Sequence, residues 1–79
     1  MQAVEVKQLV EQQLDNARVE VEGEGCNFQL LVISDALAAL SPVKRQQAVY
    51  AVLNDAITDG RIHAVTMKFF TRQAWENRA

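Results

Sequence analysis

Cys26 and His63 are the only thiol and the only imidazole in the chain, and each stands just ahead of a run that reads as a β-strand. Cys26 closes the turn Gly23-Glu24-Gly25-Cys26, and His63 stands near the opening of Arg61-Ile62-His63-Ala64-Val65. If those two strands lie side by side and parallel, their starts share one edge of the sheet, and the two side chains meet although they are far apart in sequence. Thiolate and imidazole suit zinc, copper or an iron–sulfur centre. Two ligands do not complete a tetrahedral site, so a partner must supply the rest. Histidine in place of cysteine on iron also raises the reduction potential and titrates near neutrality, which suits a centre that is loosely held and passed on.

Plainer readings of the same residues exist. A free cysteine behaves as a small hydrophobe in a turn or core, and a lone histidine at a strand end is commonly just a satisfied polar side chain. A cysteine–histidine nucleophilic pair would need an orienting group and an oxyanion loop, and the sequence offers neither beside it. No enzymatic activity is expected.

The elements that must position the pair can be read along the chain. Val4, Val6, Leu9, Val10 and Leu14 recur mostly at helical spacing, which predicts an amphipathic helix over 3–15 with Asp15-Asn16 as its stop. Ala17 to Glu22 alternates, with Val19 and Val21 against Arg18, Glu20 and Glu22, as a half-buried strand does. Gly23-Glu24-Gly25 can make a hairpin, and Phe28 to Ser34 is apolar enough for a central strand. Asp35 to Leu40 reads as a short helix capped by Ser34 or Asp35. Ser41 and Pro42 open a longer helix carrying Val49, Val52, Leu53, Ala56 and Ile57 on one stripe, and Gly60 ends it. Ile62 to Phe70 alternates again, with His63, Val65, Met67 and Phe69 expected on one face. Thr71 caps a short final helix whose Trp75 docks onto the sheet. Tyr50, next to Val49, is expected to be partly buried packing, and Met67 and Phe69 to be core.

The first two strands are joined by a tight turn and must be antiparallel, while two helices separate the second and third, enough for a right-handed crossover and a parallel pair. The predicted fold is α+β, in the order helix-strand-strand-helix-helix-strand-helix, with a three-stranded mixed sheet.

At 79 residues the chain has material for one core, so residues 1–79 are read as a single domain. Eight Lys and Arg against ten Asp and Glu leave a net charge of -2, so no whole-molecule field draws the chain onto phosphates. One cysteine cannot make an internal disulfide, and Met1 to Leu14 mixes polar and apolar residues unlike a signal peptide. These features fit a cytoplasmic protein. No apolar stretch approaches the roughly 20 residues of a membrane span.

Taken together, Gly25-Cys26-Asn27-Phe28, Val32-Ile33-Ser34, Val49-Tyr50-Ala51-Val52-Leu53 and Ile62-His63-Ala64 resemble, in order and spacing, the BolA-like proteins. The resemblance runs from about Val19 to Trp75. Leu40-Ser41-Pro42-Val43-Lys44-Arg45-Gln46-Gln47 is similar to the short acid-stress subgroup called IbaG. The resemblance implies a class II KH-like fold and association with a monothiol glutaredoxin. It also implies a bridging [2Fe-2S] cluster held by a glutaredoxin cysteine, a glutathione thiol and two ligands from the BolA-like partner, at positions matching His63 and Cys26. Roles in iron–sulfur trafficking, iron sensing or stress response follow from it. The isolated chain is expected to be a monomer or weak homodimer with no cofactor of its own. Two departures concern local geometry. Leu37-Ala38-Ala39 stands where the family usually has an aromatic-x-glycine, and Thr71-Arg72 where it has threonine–proline.

Nucleic-acid binding is the alternative, because KH-like folds bind single strands and BolA proteins are often described as transcriptional regulators. True KH domains clamp the backbone with a Gly-x-x-Gly loop, whereas the junction here reads Leu40-Ser41-Pro42-Val43. Lys44, Arg45, Arg61, Lys68 and Arg72 are the candidate basic face, with DNA as the partner; scattered cations of this kind are usually a solvated surface.

Overall fold

The computed structural model describes residues 2–14, 16–24 and 27–78. Among them the chain forms α1 (Ala3–Gln13), β1 (Arg18–Glu24), β2 (Asn27–Ile33), α2 (Asp35–Ala38), α3 (Pro42–Thr58), β3 (Ala64–Phe70) and α4 (Arg72–Glu76). The sheet order is β1-β2-β3, antiparallel between β1 and β2 and parallel between β2 and β3. The element order and strand directions are those predicted. Among the described residues no helix is long and apolar enough to cross a membrane.

Alternation along each strand sorts the sheet into two faces. Val19 and Val21, then Phe28, Leu30 and Val32, then Val65, Met67 and Phe69 face α1 and α3. There they meet Val6 and Val10 of α1 and Val49, Leu53 and Ala56 of α3. Leu30 on the central strand is fully buried, and burying such a side chain contributes about 1.5–3 kcal/mol. The opposite face carries Arg18, Glu20 and Glu22, then Asn27 and Gln29, then Thr66 and Lys68, mostly open to solvent.

Local chemistry sets the boundaries. Ser41 Oγ accepts from the Lys44 N–H and Pro42 holds the first turn of α3; Ser34 and Thr71 cap α2 and α4 in the same way, accepting from Leu37 and Ala74. At the far end of α3, Gly60 takes φ +84°, a left-handed conformation suited to glycine. α1 ends at Gln13, two residues before the predicted stop, and Asn16 adopts φ +60° in the connection that follows.

Boundary expectations are also corrected in β1 and β3. Gly23 and Glu24 belong to β1, because the antiparallel ladder continues to Glu24↔Asn27; Gly25 of the predicted turn lies outside the described residues. Ile62 is not in a strand: it is buried, and its N–H donates to the Ala56 carbonyl across the end of α3. Tyr50 is 42% exposed, not partly buried packing, since its place next to Val49 turns it away from the stripe that faces the sheet.

Candidate functional site

The parallel ladder pairs Asn27 with Ala64. These are the residues that follow Cys26 and His63 in sequence, so β2 and β3 begin level with one another on one edge of the sheet. Cys26 itself lies outside the described residues. His63 is exposed, in the bend that precedes β3. Its orientation follows from its neighbour: Ile62 is drawn into the core under α3, and the next residue along is thereby left in solvent. His63 therefore does not share the inward face of Val65, Met67 and Phe69, as strict alternation had predicted. The bend resets the phase before the strand starts.

The imidazole lies over the Gly60 turn, where a methyl group added to Gly60 would sit 3.9 Å from Nε2. Among the described residues no side chain hydrogen-bonds to it, and imidazole is a common ligand type for soft metals. Among those residues, too, no three His, Cys, Asp or Glu side chains converge to hold an ion. Cys26 is the only thiol in the chain.

Gly23 ties β1 to this edge. It stands opposite Phe28 in the ladder with φ +118°, and a Cβ there would collide with the Asn27 carbonyl. The close approach fixes where β2 begins. Beside it, a shallow depression of about 410 Å³ is lined by Glu22, Gly23, Asn27, Phe28, Gln29, Ala64 and Thr66. Asn27, Gln29 and Thr66 were not singled out in the sequence; their solvent-facing places in the alternation of β2 and β3 were the available signal. The exposed large apolar side chains, Val4, Leu40, Val43 and Tyr50, come from α1 and from α3 and its approach, not from the strands that border this edge.

The candidate basic residues are dispersed. Lys44 and Arg45 lie in the first turn of α3, whereas Arg61 lies beyond its last, a separation of about 25 Å along a 17-residue helix. The Arg45 guanidinium carbon sits 5.1 Å from the centre of the Phe69 ring, on the helix-covered side of the sheet. Arg61 is held by Asp59, Nε to Oδ2 at 2.9 Å; that bond keeps the Asp59 carboxyl below its ordinary pKa and raises that of Arg61. Lys68 lies on the open face of β3, and Arg72 on α4. These five residues do not share a surface.

The BolA-like protein family matches residues 2–74, and the chain belongs to that family. An uncharacterized protein of Haemophilus influenzae is 40% identical over 76 residues, spanning 96% of this chain and 89% of that protein. The acid stress protein IbaG of Escherichia coli K12 is 36% identical over 75 residues, spanning 95% and 89%. Among solved structures, a BolA protein homologue from Coxiella burnetii superimposes with a TM-score of 0.81 at 27% identity, over 98% of this chain and 99% of that one.

Proposed function

We propose that this chain is a non-enzymatic, cytoplasmic partner of a monothiol glutaredoxin. In the complex, His63 and Cys26 join a glutaredoxin cysteine and a glutathione thiol in holding a bridging [2Fe-2S] cluster. The observation that carries this reading is the level start of β2 and β3 at Asn27 and Ala64, with His63 exposed beside it. A cluster bridging two chains needs ligands at an accessible edge, and a histidine ligand tunes the potential upward and weakens retention. The reading therefore gives the chain a part in cluster trafficking, iron sensing or a stress response. Membership of the family supports it, and the acid-stress name of a 36% identical relative supports the stress setting.

The test is anaerobic titration of a cluster-loaded monothiol glutaredoxin with glutathione present, followed by visible absorption and circular dichroism. Wild type is expected to change the cluster spectrum and to saturate at one to one. Cys26→Ser and His63→Ala are expected to lose that change while keeping the fold. A glutaredoxin spectrum unaltered by the wild-type chain sinks the proposal.

A further inference from the structure

The two outer edges of the sheet are treated differently. In β1, ladder geometry turns the backbone groups of Val19, Val21 and Gly23 away from β2. Val19 is stopped on both sides: its N–H donates to Glu11 Oε2 at 2.9 Å and its carbonyl accepts from Lys7 Nζ at 2.6 Å. In β3, the Phe70 carbonyl accepts from the Ser34 N–H on the β2 side, so alternation points the N–H and C=O of Val65, Met67 and Phe69 outward. Among the described residues nothing bonds to them. Nor does α4 shield this edge: with Arg18 and Ile33, its Arg72, Trp75 and Glu76 border one cavity, so the helix leans across the open face toward β1.

We propose that the free edge of β3 recognises a second copy of this chain, the two β3 strands pairing antiparallel about a two-fold axis at Met67 and joining two sheets into one. In that register Met67 faces Met67 and Val65 faces Phe69, all bonded through their outward backbone groups. On the helix side the half-buried row Val65-Met67-Phe69 continues unbroken into its copy. On the open side Lys68 meets Thr66, never Lys68, and Ala64 meets Phe70. The same operation on β1 sets Glu20 against Glu22, acid opposite acid, on an edge already stopped by Lys7 and Glu11. β3 against itself thus meets no like charges, whereas β1 against itself does. A seven-residue strand pair spans about 23 Å and lies at the small end of interfaces, so a weak, reversible dimer results.

Sedimentation velocity of the full chain in reductant, where no Cys26 disulfide contributes, tests this with Thr66→Lys and Thr66→Glu. Thr66 is exposed on the open face, so neither change disturbs the core. The first sets like charges at two symmetric Lys68 contacts and weakens the dimer by roughly threefold to thirtyfold; the second pairs opposite charges there and strengthens it by a similar factor. Hydrogen exchange at the Val65, Met67 and Phe69 amides slows with concentration, and that at Val21 does not. A wild-type chain monomeric up to millimolar concentration, both substitutions shifting the equilibrium in one direction, or open-ended assemblies built from β1–β3 pairing would each overturn it.

Discussion

The two ends of the sheet are built to opposite specifications. Where β2 and β3 finish, the chain closes over itself. Ile33 is 3% exposed although it lies on the face opposite the main core. Phe70 beside it meets Trp75 of α4 edge to face, with ring centres 5.3 Å apart, and the Arg78 guanidinium covers the Trp75 ring at 3.4 Å. Asp35 Oδ1 accepts from the Arg72 N–H at 2.8 Å, tying α2 to α4. Where the same strands begin, Asn27 and Ala64 are exposed and His63 stands in water. One end uses its residues to exclude solvent, and the other leaves Asn27, His63 and Ala64 exposed to it. On the proposed reading, stability and ligation fall to different ends, so each can be altered with little effect on the other.

The largest effect is expected at the closed end. Ile33→Ala removes a buried branched side chain and should lower the unfolding free energy by about 2–4 kcal/mol, read by urea denaturation, while cluster ligation by the surviving folded protein is retained. Gly23→Ala comes next, because it forces a Cβ into the Asn27 carbonyl at positive φ. A loss of about 1–3 kcal/mol is expected, together with shifted amide resonances at the start of β2, making it the one substitution that crosses from stability into the ligand edge.

A smaller effect comes from the β1 margin. Burial pushes the Glu11 carboxyl up, but the Val19 N–H and the Lys7 ammonium outweigh it and hold the group below its ordinary pKa. A carboxyl depressed on folding stabilises above its unfolded pKa, and that contribution disappears as pH falls through the folded value. Glu11→Gln should therefore cost about 1 kcal/mol at neutral pH and flatten the loss of stability below the ordinary carboxylate range, as followed by urea midpoints against pH. Smallest of all, His63→Ala should leave the stability within about 0.5 kcal/mol of wild type, since an exposed side chain without a partner among the described residues holds little together. A large destabilisation by that change would erase the division between the ends.

Much of this is legible in the sequence. Ser41-Pro42 and Gly60 marked both ends of α3 because caps and left-handed stops depend on local chemistry. The two-helix crossover forced β2 and β3 parallel and so brought the strand starts together. What could not be read was the phase around His63. A two-residue alternation extended backward from Val65 turns His63 inward, but the Ile62 N–H bonds to the Ala56 carbonyl in the turn that closes α3, and burial of Ile62 against the core resets the phase before β3 starts. Arg72 gives the opposite lesson. The family resemblance implies proline there, and a proline would have no N–H for Asp35; here that N–H is used, so the departure replaces one way of starting α4 with another. The basic residues were misleading as a set because charge is visible in sequence while the ring under Arg45 and the carboxylate beside Arg61 are not.

The central claim, ligation through this edge, is most directly tested by isotope. The chain holds one histidine, so labelling it alone with nitrogen-15 and forming the complex with unlabelled cluster-loaded glutaredoxin makes any nitrogen-15 coupling to the reduced cluster attributable to His63. Pulsed electron–nuclear double resonance should show that coupling in wild type and not in His63→Cys. A reduced cluster in the one-to-one complex that carries no nitrogen-15 coupling would contradict the account.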